Sequence, residues 1–361
     1  MKELIYFFIL LQFVLLMAQD EEKINKLEWG KLGGTIGIYY QGFSDRDDNA
    51  ANESYTNASL KLKYEKSWDK LIFVVTGIFS HELADNDGAY DSEFEHSDPV
   101  LVESYLKYSL DNSYVLVGRR KMKSLMLKDY FEGAFVHSEQ FENLIIDAAW
   151  VQRTADVDED ELADWERFRD GDGDEDHDFG TEISYKINDL NATGVFFSAS
   201  EYDNYGVNLD YKLSNASSIL FEYYASNDDV GNDAEILHLE ATHKINDYKI
   251  KFGYIETDED GGEGSLTNDP WDPFEESPVS DPDVKSLYMS IVAKVNAVLK
   301  LKLFHGQCEL DSANADTQET FIESEYKITD ALKMEALLIH LESSDLDEGF
   351  NKYMMFLSYD F

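Results

Sequence analysis

The sequence predicts an all-β fold: a transmembrane antiparallel β-barrel of about 18 strands, with about 16 as the alternative count. Three observations predict it. Segments of roughly ten residues alternate apolar and polar side chains, short and long connections between them take turns, and the chain ends on the aromatic residue Phe361. In such barrels the short turns lie on the periplasmic side and the longer loops on the extracellular side.

The first segment differs in kind from the rest of the chain. Residues 1–18 read "MKELIYFFILLQFVLLMA", an apolar run that ends on a small residue, and "QDEEK" follows directly. This pattern is typical of a secretory signal peptide cleaved after Ala18, and an N-terminal membrane anchor is the alternative. Residues 19–361 are then expected to form a single barrel domain.

The strands are marked by apolar and polar residues in alternation. In "SLKLKYEK", residues 59–66, leucine and tyrosine alternate with lysine and glutamate, so one face is apolar and the other charged. Applied along the chain, this template predicts strands that start near Gly33, Tyr55, Lys70, Val100, Ser113, Phe131, Leu144, Gly180, Asn191, Asn204, Ser217, Asp233, Tyr248, Val284, Val298, Thr317, Leu332 and Phe350.

The connections support the barrel over other β folds. Short ones such as "SWDK" and "NDLN" carry the Asp, Asn and Ser residues of tight hairpin turns. Long ones are very acidic: residues 156–178 hold thirteen acidic residues and residues 256–283 hold eleven. A secreted soluble β-sandwich or solenoid remains the competing fold, because tyrosine is favourable in any strand.

The composition excludes several classes of protein. Acidic residues outnumber basic ones 74 to 30, which gives a formal net charge of −44 and argues against binding to nucleic acid. Aromatic residues make up 14% of the chain, too many for a disordered acidic protein. The single cysteine, Cys308, leaves no internal disulfide. The sequence contains no recognisable hydrolase or phosphate-binding motif, so an enzyme is not expected.

One acidic loop has spacing that suits a cation. Asp170, Asp172 and Asp174 follow the one-three-five spacing of hard oxygen ligands. The sixth position of that loop is Glu175 instead of glycine, and the twelfth is Thr181 instead of glutamate, so it is not an EF-hand. No cofactor is expected to be required. Loose binding of Ca²⁺ or Mg²⁺ at the acidic loops and a plain solvated loop are the two alternatives.

A basic cluster interrupts this acidic chain. The stretch "GRRKMKSLMLKDYFEGAFV", residues 118–136, concentrates cations and then two acids. It resembles the Gly-Arg strand end, inward loop and Phe-Glu-Gly strand start of Opr-family porins, the OprD-like and major-outer-membrane-protein-like channels. The resemblance extends to the architecture of the whole mature chain. It implies a water-filled barrel narrowed by an inward-folded third long loop at about residues 120–132, and it also implies a homotrimer.

The resemblance assigns roles to particular residues of this stretch. It implies that basic side chains face acidic ones across a pore constriction. The residues of this constriction would be Arg119, Arg120, Lys121, Lys123, Lys128, Asp129 and Glu132. Which of the two arginines faces the lumen stays open. The alternative is that these cations only balance nearby acids at a surface. Strand alternation separately predicts a set of lumen-facing lysines, namely Lys61, Lys63, Lys186, Lys212, Lys300 and Lys302.

The last strand has its own predicted role. In "YMMFLSYDF", residues 353–361, Tyr353, Tyr359 and Phe361 share one apolar face that is expected to meet lipid and to pair with the strand near Gly33. A C-terminal strand of this kind resembles the signal that barrel proteins present to the barrel assembly machinery. The expected partners are thus that machinery, the lipid bilayer and lipopolysaccharide.

Together these features predict a bacterial outer-membrane porin. It would pass ions and small hydrophilic solutes passively, with a mild preference for cations set by its acidic loops. A solute-selective, OprD-like nutrient channel is the alternative within channels. A surface adhesin and a secreted calcium-binding β protein are the alternatives from other classes.

Overall fold

The structure is a computed structural model. It describes residues 30–44, 53–86, 99–125, 127, 129–157, 161–163, 165–167, 178–199, 202–228, 233–261, 273–310, 315–344 and 349–361. The predicted signal peptide lies outside these residues. The described residues contain no helix that is long and apolar enough to cross a membrane.

The described residues form nineteen β-strands joined in one sheet. Their bounds are β1 Lys31–Ser44, β2 Ser54–Trp68, β3 Leu71–Asn86, β4 Val100–Leu110, β5 Ser113–Lys121, β6 Tyr130–Phe141, β7 Leu144–Ala155, β8 Glu166–Arg167, β9 Asp178–Ile187, β10 Leu190–Ser198, β11 Tyr202–Lys212, β12 Ser217–Asp228, β13 Asp233–Ile245, β14 Tyr248–Thr257, β15 Val284–Lys294, β16 Leu299–Leu310, β17 Ala315–Lys327, β18 Leu332–Ser343 and β19 Phe350–Asp360. Strand β8 is a two-residue addition beside β7, so the other strands make a barrel of 18.

The barrel is closed and antiparallel throughout. Each barrel strand pairs with the barrel strands before and after it in the chain, and β1 pairs with β19 from Thr35↔Asp360 to Ser44↔Asn351. Closure leaves the 18 described barrel strands without an unpaired edge. The predicted fold class, the higher strand count and the pairing of the last strand with the first are confirmed.

The strands begin within two residues of the predicted positions. The short connections also have the predicted chemistry, because a two-residue hairpin turn needs a residue that tolerates positive φ. In the five described two-residue turns that residue is Asp or Asn, at Asp69, Asp111, Asn143, Asn188 and Asn246, with φ between 46° and 61°. The start of β1 at Lys31 and the end of β19 at Asp360 lie at the short-turn end of the barrel.

The two faces of each strand meet different surroundings. On the outer face large apolar side chains are exposed, for example Leu287 at 65%, Val117 at 58% and Phe252 at 57%. The other face points into the barrel, because Lys61 of β2 donates a hydrogen bond to Tyr130 of β6 across three intervening strands. An apolar outer surface of this extent is suited to lipid.

Tyrosines mark both ends of the apolar outer face. Tyr205 and Tyr211 on β11, and Tyr353 and Tyr359 on β19, are six residues apart. Six residues of strand span roughly 20 Å along its axis. Tyrosine favours the interface between lipid and water, so this spacing fits the two aromatic girdles of a membrane barrel.

Candidate pore interior

The connection between β5 and β6 folds onto the inner wall. In this inner loop, residues 122–129, the amide of Leu125 donates to Glu182 Oε2 of β9 at 2.9 Å. Strand β7 separates β6 from β9, so the loop crosses the inside of the wall to make this contact. Leu127 is buried and belongs to the same apolar cluster as Phe135 and Phe197. The loop is thus fixed by one carboxylate and one buried leucine.

The first group of cations beside this loop surrounds Tyr114. Arg120 Nη1 donates to the Tyr114 hydroxyl at 3.2 Å, and its guanidinium lies 5.9 Å from the ring centre of Phe135. Lys107 Nζ lies 3.9 Å from the ring centre of Tyr114, a cation–π distance. These contacts hold two positive charges against the wall through aromatic rings.

The second group surrounds Tyr130 and lines an open cavity. Lys61 Nζ donates to the Tyr130 hydroxyl at 3.0 Å, and Lys121 Nζ lies 5.3 Å from the centre of the same ring. The cavity beside them has a volume of about 240 Å³. Lys333 and Asp360 line it as well, and they pair with each other at 3.4 Å. The cavity also has Phe356, Ser358 and Glu335 in its lining. This part of the interior is polar, charged and open to water.

Arg119 and Glu132 lie apart from both groups. They are register partners on β5 and β6, and Arg119 Nε donates to Glu132 Oε2 at 2.7 Å. The Arg119 guanidinium also contacts the carbonyl of Leu101 and stacks 4.4 Å from the ring centre of Trp165. Trp165 in turn packs against the buried cluster that contains Tyr130, so Arg119 and Arg120 have different neighbours although they are adjacent on β5. The two arginines therefore differ in their partners: Arg119 pairs with a carboxylate, and Arg120 contacts a tyrosine hydroxyl.

The other residues predicted for the constriction lie on the inner loop or on β6. Lys123 is an exposed residue of the inner loop, and the carbonyl of Asp129 accepts from the amide of Met122 at 2.8 Å. Glu132 belongs to β6 and not to the loop. Lys128 lies outside the described residues.

The predicted lumen lysines are placed along the inner face. Lys63 lies 3.9 Å from Glu103, Lys300 lies 3.6 Å from Glu325, and Lys302 lies 3.6 Å from Glu323. Lys61 lines the cavity described above. Lys186 and Lys212 lie next to the short-turn ends of β9 and β11. Three of these lysines lie near glutamates, so the inner wall carries both positive and negative charge.

A second inward segment, not predicted from the sequence, lies in the connection between β14 and β15 just before β15. In this strap, residues 273–279, three consecutive backbone amides point at one carboxylate. The amides of Glu275, Glu276 and Ser277 donate to the Glu319 carboxylate of β17 at 2.8, 3.0 and 2.8 Å. Glu319 is fully buried. Hydrogen bonds of this charge-assisted kind are the stronger ones in proteins.

Phe274 anchors the strap on its apolar side. Its ring meets Phe304 edge-on with centres 4.9 Å apart and Tyr288 edge-on at 6.1 Å. Gly306 lies beneath it, and a Cβ at that position would overlap the Phe274 ring. The wall therefore has a glycine where the strap needs room. In the sequence this contact is signalled by Phe274 beside the acids of "WDPFEESPV".

Ion pairs complete the strap. Glu276 lies 2.6 Å from Lys352 of β19, and Glu275 lies 3.8 Å from Lys302 of β16. Burial raises the pKa of Glu275 to about 6; Lys302 opposes the rise, and the carboxylates of Glu319 and Glu323 add to it. The Glu275 side chain is still 37% exposed, so solvent screens part of this effect.

A buried polar network supports the wall beneath the strap. His238 contacts Glu222 at 2.7 Å through Nδ1 and the Tyr288 hydroxyl at 2.8 Å through Nε2. The Tyr288 hydroxyl donates to Glu240 at 2.9 Å, and Lys251 donates to Glu240 at 2.6 Å. Buried polar groups need such partners. The network fixes Tyr288, the ring on which Phe274 rests.

The remaining predicted site residues divide into two cases. Asp170, Asp172 and Asp174 lie outside the described residues, and the part of the chain that is described contains no group of three side chains able to hold a metal ion. Tyr353 of β19 is exposed on the outer face, and Phe361 closes the seam by exchanging backbone hydrogen bonds with Gly34 at 3.0 and 3.1 Å.

Solved porin structures share this fold. A BenF-like porin from Pseudomonas fluorescens Pf-5 matches with a TM-score of 0.77 and 15% identity, over 92% of this chain and 99% of that chain. Acinetobacter baumannii OccAB4 matches with a TM-score of 0.77 and 14% identity, over 91% of this chain and 97% of that one. Pseudomonas aeruginosa OpdK, solved with vanillate, matches with a TM-score of 0.72 and 14% identity, over 91% and 98%.

The similarity to known proteins is structural only. No protein-family model matches the chain, and no curated protein matches its sequence significantly. The structural matches therefore identify the fold. They confirm the barrel architecture that the resemblance in residues 118–136 implied. This chain has the 18-stranded fold of these OprD-like and Occ porins.

Proposed function

We propose that the protein is an outer-membrane channel through which ions and small hydrophilic solutes diffuse passively. One observation carries this proposal: a closed barrel with an apolar outer face encloses lysines, carboxylates and an open cavity of about 240 Å³. Charges inside a barrel are stable only if water or counter-charges surround them, and a hydrated lumen supplies both.

Planar-bilayer recording tests the proposal directly. Purified, detergent-extracted protein should give stable single-channel steps in KCl, and an absence of such steps over repeated insertions would contradict a channel. A chain that stays monodisperse without detergent would instead support the secreted β protein. Binding to host surfaces in the absence of conductance would support the adhesin.

The proposed selectivity is a mild preference for cations. The formal net charge of −44 supports it, whereas the inner wall carries both signs. An acidic vestibule concentrates cations at low salt and repels anions. The reversal potential in a KCl gradient measures this preference, and anion selectivity at low salt would contradict it.

A solute-selective channel is the second candidate, because cations and aromatic rings lie together inside the barrel. Arg120 and Lys107 contact Tyr114, and Lys61 and Lys121 contact Tyr130. This combination suits a solute with an aromatic ring and a carboxylate. Vanillate, the ligand in the OpdK structure, is a practical probe. Vanillate uptake into liposomes faster than that of an uncharged sugar of similar size would favour this candidate; equal rates would favour the general channel.

Localisation and partners follow from the same proposal. The channel would be exported by a cleaved signal peptide, inserted by the barrel assembly machinery through its C-terminal strand, and surrounded by lipid and lipopolysaccharide. The homotrimer that the resemblance implies stays a prediction, and native mass spectrometry in detergent would measure it. Divalent cations at residues 170–174 also stay a prediction, for which calcium titration by calorimetry is the measurement.

A further inference from the structure

The strap is held on the wall by three separate kinds of contact. The Glu319 carboxylate accepts three strap amides, Phe274 lies on Phe304 and Tyr288, and Glu276 pairs with Lys352. The two charged groups of the last contact are both less than 20% exposed. These contacts fix the strap in one position on the lumen side of the wall.

The charges around Glu275 do not balance in that position. Lys302 is the cation beside it on β16, and it lies 3.8 Å from Glu275 and 3.6 Å from Glu323 of β17. Lys352 on β19 is paired with Glu276, and Glu319 on β17 is satisfied by the strap amides. One amine thus serves two carboxylates, and the strap brings one negative charge too many to the wall.

We propose that the strap is a pH-responsive constriction that docks on the wall more firmly in acid, so that the channel narrows as pH falls. This inference rests on the proposed channel function. Protonation of Glu275 removes the surplus charge while the Glu319, Phe274 and Glu276 contacts remain. Release of the strap at higher pH would return Glu275 to water and widen the lumen beside β16 and β17.

The direction follows from proton linkage. The pKa of Glu275 is raised to about 6 when the strap is docked, against an ordinary value of 4.5. A state that binds a proton more tightly is stabilised as pH falls, so docking is favoured as pH drops from about 6 to about 4.5. A shift of this size corresponds to at most roughly thirty-fold in the docking equilibrium, and solvent screening reduces it to several-fold.

Single-channel recording of the full-length mature protein tests the inference. The fraction of time spent in a smaller-conductance state should rise several-fold between about pH 7.5 and about pH 4.5. In Glu275→Gln the surplus charge is absent at every pH, so the small state should already dominate near neutral pH and should not respond to acid. Glu325→Gln, which removes a carboxylate paired with Lys300 away from the strap, is the matched control and should keep the response.

A further variant keeps the inference falsifiable if Glu275→Gln does not insert. Lys302→Met removes the shared cation, so the transition should move to higher pH. The inference is overturned if Glu275→Gln responds to acid as the wild type does, if the wild type opens wider in acid, or if Lys302→Met moves the transition to lower pH. A wild-type protein without channel activity would contradict the proposed function itself, whereas a channel of pH-independent conductance would contradict only the strap.

Discussion

Arg119 and Arg120 are neighbours in sequence with opposite surroundings. Arg119 is neutralised by Glu132 at 2.7 Å and covered by Trp165, whereas Arg120 touches the hydroxyl of Tyr114 and the ring of Phe135. The sequence could place both near a constriction but could not choose between them. Alternation does not decide between them, because Lys121 shares the parity of Arg119 and lies beside Tyr130 in the cavity; only the contacts of each guanidinium tell them apart.

Neutralising these two arginines should therefore have unequal effects. Arg120→Gln removes a lumen-side positive charge, so cation selectivity should rise by about two-fold at low salt, where charges are screened least. Arg119→Gln removes a charge that Glu132 already neutralises at 2.7 Å, so selectivity should change less. The reversal potential of each variant in a KCl gradient measures the effect. Equal shifts in both variants would mean that neither side chain is placed as described.

At the scale of elements, the strands could be predicted from sequence and the inward segments only in part. Strand starts were within two residues because period-two alternation and Asp or Asn turns are local signals. The strap depends on contacts between residues distant in sequence, from 14 positions for Phe274 with Tyr288 to 44 for Glu275 with Glu319. Periodicity shows that Glu319 faces inward; it carries no information about which loop covers it. From sequence alone, residues 256–283 are therefore no more than an acidic loop.

Gly306 gives an element-scale prediction about the strap. Gly306→Ala adds a methyl group where the Phe274 ring rests, so it should push the strap from the wall and increase the time spent in the larger-conductance state. Overpacking of this kind costs about 1–3 kcal/mol. Single-channel recording measures the change. Gly194→Ala on β10 is the matched control, since a Cβ there would meet nothing within 4 Å. If both variants conduct as the wild type does, Phe274 does not anchor the strap.

At the scale of the whole molecule, closure depends on the seam between β1 and β19. Phe361 and Gly34 exchange two backbone hydrogen bonds, and the hydroxyl of Thr35 donates to Asp360 at 2.7 Å. The last residue is thus part of the closing ladder as well as of the predicted assembly signal. This explains why an acidic chain ends on an apolar strand: Tyr353 and Met355 are exposed on the outer face, and Ser358 and Asp360 line the cavity.

Deleting Phe361 should lower the yield of assembled barrel several-fold, because both the seam and the signal lose their last residue. Heat-modifiable mobility on a denaturing gel separates folded from unfolded protein in outer-membrane fractions. Phe361→Tyr keeps the aromatic ring and both backbone hydrogen bonds, so it should assemble like the wild type. Normal assembly of the deletion variant would show that the terminal residue serves neither purpose.

The salt dependence of selectivity should show whether the acidic loops or the barrel wall make the channel prefer cations. The wall pairs lysines with glutamates at 3.6–3.9 Å, so its charges largely cancel, whereas the excess of acids lies mainly in the long connections. Mobile ions screen an external vestibule over about 10 Å at 0.1 M salt and about 3 Å at 1 M. The potassium-to-chloride permeability ratio should therefore fall towards one as KCl is raised across this range. A ratio that stays high at 1 M would place the selective charges inside the constriction, where screening is weaker.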